Sequence, residues 1–150
     1  MPSLGMKKME VNVSEEIVEV SQDNEVLARY IPSTVAWSSG LNFFSADDDF
    51  IQVGTWGYDA EVRLKPHIHN EVSRTIYWTQ EVIFVRSGRL RANIFNKNEK
   101  QVSEIEMSAG DIIVLLGGGH GYDVLEEGTQ VLEIKNGPYV GAELDRRRFK

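Results

Sequence analysis

Cysteine is absent from this 150-residue chain. Its absence excludes disulfides, thiolate nucleophiles and thiolate metal sites, so any bound metal must be held by imidazole, carboxylate or water. Long apolar runs are missing too. No segment approaches the roughly 18 apolar residues needed to span a bilayer, and the opening MPSLGMKKMEVNVSEE holds no run of signal-peptide length. A cytoplasmic location is the expectation. Positive charge is in short supply: 16 Lys and Arg stand against 23 Asp and Glu, a net charge of -7. Neither nucleic acid nor a membrane surface is therefore an expected partner.

What is present describes an ordinary globular chain, 41% hydrophobic and 26% charged, without disordered, collagen-like or low-complexity bias. A length of 150 residues fits one domain, because two would each have a marginal core. The expectation is a single domain over 1–150 with its core at about 40–136. Before Gly40 the texture is acidic and mixed in period. Ser14 ahead of Glu15 and Glu16, and Asp23 ahead of Asn24 and Glu25, predict short helix starts in an irregular or helical N-terminal segment.

From Gly40 onward, short β-type runs follow one another between turn residues, the pattern of an antiparallel sandwich or barrel. Strands are predicted over Leu41–Ser45, Phe50–Tyr58, Ala60–His69, Thr75–Val85, Arg89–Phe95, Gln101–Met107, Asp111–Leu116, Tyr122–Leu125 and Thr129–Lys135. The punctuation is Ser87-Gly88, Asn96 to Glu99, Ala109-Gly110, Gly117 to Gly119, Glu127-Gly128 and Asn136-Gly137-Pro138. Alternation is clearest in Arg89 to Ile94 and Val131 to Lys135, which predicts half-exposed strands. Ile112 to Leu116 is apolar throughout and predicts a strand covered on both faces, by a second sheet and by a partner subunit.

Two of the three histidines form His67-Ile68-His69. In an extended segment residues i and i+2 share a face, so both imidazoles point to one place, where a divalent ion resolves their mutual repulsion. His120 follows about fifty residues later, after the triple glycine, a separation long enough to return across a barrel of short strands. Glu81, an acidic residue opening the apolar run Val82 to Val85, needs a partner and is the candidate carboxylate.

These residues resemble the two motifs of the cupin superfamily, over about Gly57 to Lys135. His67-Ile68-His69, then Glu81, the six residues Val82 to Ser87 and Gly88 are similar to the first motif. Gly110-Asp111, the strand Ile112 to Leu116, the glycine turn and His120 are similar to the second. There are departures. The eleven residues Asn70 to Gln80 form a longer gap than the family's. Leu116 stands where a proline is usual, the spacing to His120 is one residue short, and Glu61 replaces the glycine before the histidine pair.

The resemblance implies an all-β jelly-roll β-barrel, or double-stranded β-helix, with one divalent ion of iron, manganese, nickel or zinc at His67, His69, Glu81 and His120. Glu81 is also the candidate proton carrier. Arg63 and Lys65, on the strand face of His67, and Tyr77, Gln80 and Tyr122 are candidate groups for binding a small polar, carbohydrate-derived molecule. An open metal position would polarise a carbonyl or take up dioxygen, so an isomerase, epimerase or oxygenase is expected, in a homodimer. Two alternatives stay open: a non-catalytic ligand-binding or sensor protein, and a metal-free sugar-nucleotide ketoisomerase that uses its histidine pair as acid and base.

Overall fold

The computed structural model describes residues 16–150. Strands β1 (Val18–Gln22), β2 (Glu25–Ile31), β3 (Gly40–Phe43), β4 (Gly54–Gly57), β5 (Glu81–Ser87), β6 (Arg89–Phe95), β7 (Gln101–Ser108), β8 (Ile112–Leu115), β9 (Gly119–Val124) and β10 (Gln130–Lys135) precede one helical turn, α1 (Ala142–Asp145). They build a five-stranded sheet in the order β1-β2-β8-β5-β10, a three-stranded sheet β7-β6-β9 and the hairpin β3-β4. All pairings are antiparallel. The fold is all-β, and the sheets are not closed into a barrel.

The five- and three-stranded sheets face each other across the main core. Alternation decides which residues enter it: Leu90, Ala92 and Ile94 of β6 are buried and meet Ile83, Val85, Ile113 and Leu115 from the larger sheet, with Met107 of β7. The opposite face of the larger sheet is covered as well. Val82, Val114 and Ile31 pack with Val35, Leu116, Phe44, Ile51 and Val53. The apolar run of β8 is thus enclosed on both sides, as its sequence required, but the second cover is the chain's own 35–53 region and not a partner subunit. Arg29, on that face, fixes the cover by pairing with Asp49 at 2.5 Å.

Two expectations need correction. The N-terminal segment is a strand hairpin: Asp23 and Asn24, expected to start a helix, have φ of 53° and 62°. Two consecutive positive-φ residues make the tight turn whose twist matches flanking strands, and Asp and Asn tolerate that conformation. The proposed helix start at Ser14 lies outside the described residues. Secondly, no strand forms over Ala60–His69 or over 75–80. Glu61 has a φ of 70° and Pro66 has no N–H to give a ladder, so the run is interrupted twice. Conversely, β9 begins at Gly119, ahead of the expected Tyr122, and carries His120 into the sheet. Among the described residues no helix is long and apolar enough to cross a membrane.

Candidate functional site

Strand register brings chemistry to one end of the main core. Glu81 opens β5 on the face that holds Ile83 and Val85, so its carboxylate enters the space between the sheets and is only 6% exposed. From the opposite sheet, His120 pairs with Ile94 and Tyr122 with Ala92, which places both rings on the inner face of β9. The result is a contact across the sandwich: His120 Nε2 lies 2.9 Å from Glu81 Oε2. Within the larger sheet, Lys135 is the direct cross-strand partner of Glu81, and its Nζ lies 3.0 Å from Glu81 Oε1 and 3.7 Å from Glu133 Oε2.

The electrostatics follow from that arrangement. Burial pushes the Glu81 carboxyl up, but contact with His120 and with Lys135 outweighs it and holds the group below its ordinary value of 4.5. Among the described residues Glu81 Oε2 has no aligned hydrogen-bond donor, although His120 Nε2 lies within hydrogen-bonding distance of it. The buried Tyr122 hydroxyl likewise has no aligned hydrogen-bond partner among the described residues. Desolvation first, then the charges of Glu81 and Glu133, push it far above its usual range.

A carboxyl whose folded value is depressed stabilises the fold above its unfolded value, and that contribution is lost as the pH falls through the folded one. For the metal-free protein, the urea midpoint of the native chain is expected to fall more steeply on acidification below about pH 5 than that of Glu81→Gln. Parallel acid profiles for the two proteins would show that Glu81 draws no net stabilisation from His120 and Lys135.

His67 and His69 do come together, Nε2 to Nε2 at 3.3 Å, on the exposed segment between β4 and β5. Arg63 and Lys65 lie exposed on the same segment. Tyr77 is 77% exposed, with its ring tilted against those of Phe50 and Trp78. Gln80 is buried and fully engaged: its Oε1 accepts from the Phe50 and Ile51 amides and its Nε2 donates to the Leu116 carbonyl. It anchors the start of β5 beside Glu81. Trp78, a ring whose size suits a core, is 46% exposed and donates from Nε1 to the Leu116 carbonyl at 2.7 Å.

The four candidate ligands therefore stand as two pairs. Each separation suits a chelating pair, since an ion about 2.1 Å from both donors would see them at roughly 90–105°. The donor chemistry is also right for a borderline divalent ion, and the undonated Glu81 oxygen is available to one. Among the described residues, however, no group of three or more such side chains is gathered about one point.

No family model, curated protein or solved structure matches the chain. The site stands on its own residues.

Lys135 and Glu133 belong to the site and were not singled out in the sequence. The signal was there in part: the alternation of Val131 to Lys135 puts both on one polar face. That the polar face turns inward beside Glu81 depends on the β5–β10 register, which alternation alone does not supply.

Proposed function

We propose that the chain is a metal-dependent enzyme of the cupin kind, with jelly-roll topology, acting on a small polar, carbohydrate-derived substrate by isomerase, epimerase or oxygenase chemistry. The observation that carries this reading is the buried Glu81 carboxylate, one oxygen lacking an aligned donor among the described residues, set against His120 from the facing sheet. Glu81 and His120, with His67 and His69, are the residues that would hold iron, manganese, nickel or zinc. The ion, when bound, supplies Lewis-acid polarisation of a substrate oxygen. The chain's own groups do the rest. Lys135 steers Glu81 from the solvent side, Glu81 is placed to carry a proton, and the Tyr122 hydroxyl, kept protonated by burial, can donate a hydrogen bond to an oxygen that gains charge.

One observation favours a second reading, a metal-free acid–base site: Glu81 and His120 already touch, while His67 and His69 stand apart from them as a pair. Metal analysis of tag-free protein separates the two. Near-stoichiometric metal in the native chain, lost from a folded His67→Ala, His69→Ala variant, is the expected result. Native protein that takes up none of the four metals when supplied with them would remove the metal reading and leave the Glu81–His120 pair to proton transfer alone.

A further inference from the structure

Beside the Glu81 contact, at the end of β10, lies a cleft of about 330 Å³ lined by Thr79, Glu133, Lys135, Asn136, Tyr139 and Asp145, among others. Its volume is at the lower end of small-ligand pockets. Lys135 connects the two places, because its ammonium lies against the buried Glu81 while its side chain remains 31% exposed. The outer groove along Phe84, Arg86 and Leu132 is larger, but it brings no such set of polar groups together.

The lining chemistry is specific. Formal charges nearly cancel: Glu133, Asp145 and the Glu81 carboxylate behind Lys135 are opposed by Lys135 and by Arg146, which is near enough to act on Lys135. An anion meets three carboxylates and a cation meets two bases, so a ligand of either sign gains little. What the cleft does offer is hydrogen bonding in both directions. Glu133 and the second oxygen of Asp145 are acceptors, and the Lys135 ammonium is a donor. Thr79 donates to Asp145 Oδ1 and keeps its oxygen lone pairs for another donor. Asn136 is already engaged, accepting from the Gln80 amide and donating to the Trp78 carbonyl, so it forms wall and not contact. Tyr139, 84% exposed, presents an aromatic face at the mouth.

We infer that this cleft binds a neutral polyhydroxylated ring, a hexose unit, whose hydroxyls bridge Glu133, Asp145 and Lys135 while one face lies on Tyr139. The inference names the substrate class of the proposed centre and, for its part in catalysis, rests on that reading. Lys135 then ties the sugar hydroxyls to the carboxylate that faces His120.

The test is amide chemical-shift mapping of the full-length protein with D-glucose, D-galactose and D-mannose at millimolar concentration. Maltose tells a chain end from a single unit, and glucose 6-phosphate, glucuronate and acetate serve as charged comparators. At least one neutral hexose is expected to shift the amides of residues 133–139 and 145 saturably. Glu133→Ala and Tyr139→Ala, both on exposed side chains, are each expected to weaken that binding by about tenfold. No saturable shift with any neutral sugar overturns the inference, as does a stronger response to acetate or to the charged sugars. Metal content is measured on the same samples. Hexose binding in protein that takes up no metal sinks the metal centre and keeps the cleft, and metal without hexose binding does the reverse.

Discussion

Asp111→Ala is expected to lower the stability of the fold by about 4 kcal/mol, a fall in melting temperature of about 10–15 °C. The side chain is 5% exposed and accepts three hydrogen bonds, each at 2.8 Å: from the Ser33 amide to Oδ1, and from the Tyr30 hydroxyl and the Ser108 amide to Oδ2. Those donors come from β2, from the connection after it and from the end of β7, so one carboxylate ties three places in the chain to the start of β8. Removing it leaves the donors without partners, at a cost of about 1–3 kcal/mol for each that stays buried. Asp111→Asn keeps one acceptor and turns the other into a donor facing the Tyr30 hydroxyl and Ser108, so an intermediate loss is expected. Thermal and urea unfolding check both variants. A loss under about 1 kcal/mol for Asp111→Ala would mean that water replaces the carboxylate at no cost.

The same residue shows what a single sequence could and could not disclose. Gly110-Asp111 was conspicuous as a motif, and Gly110 does adopt a φ of 91° at the turn into β8, but the three donors lie up to 81 residues away. Local signals carried the local structure. Arg89–Phe95 forms the strand its alternation predicts, and the apolar run of β8 is enclosed on both faces. Pairing was less legible. Alternation over Ala60–His69 reads as a strand, yet Pro66 and the left-handed Glu61 leave that segment outside the sheets. In the N-terminal region, Asp23 looked like a helix cap because capping and tight-turn chemistry favour the same residue types. At the site, the need of Glu81 for a partner was legible from its apolar strand, and His120 does meet it. Lys135 was not, because it reaches Glu81 only through the β5–β10 register.

Whether the two donor pairs serve one ion is a question of coupling, and the expected answer is large. Glu81→Ala is expected to weaken binding of Mn(II), Fe(II) or Zn(II) by roughly 100-fold or more, since altering groups that merely orient metal ligands already costs about 10–100-fold. Replacing His67 and His69 together should cost at least as much. The combined variant distinguishes the arrangements. If both pairs ligate one ion, either change alone leaves an incomplete centre, and the combined loss falls well short of the product of the separate ones, as it does for groups that act on one partner. If each pair binds its own ion, titration calorimetry finds two ions per chain, and each variant loses one while keeping the other. Glu81→Gln separates ligation from folding: it preserves shape and removes the charge, so unchanged far-ultraviolet circular dichroism with lost metal assigns the effect to the carboxylate. Native-like affinity in a folded Glu81→Ala protein would take Glu81 out of the ligand set and leave its nearness to His120 as a device for moving protons.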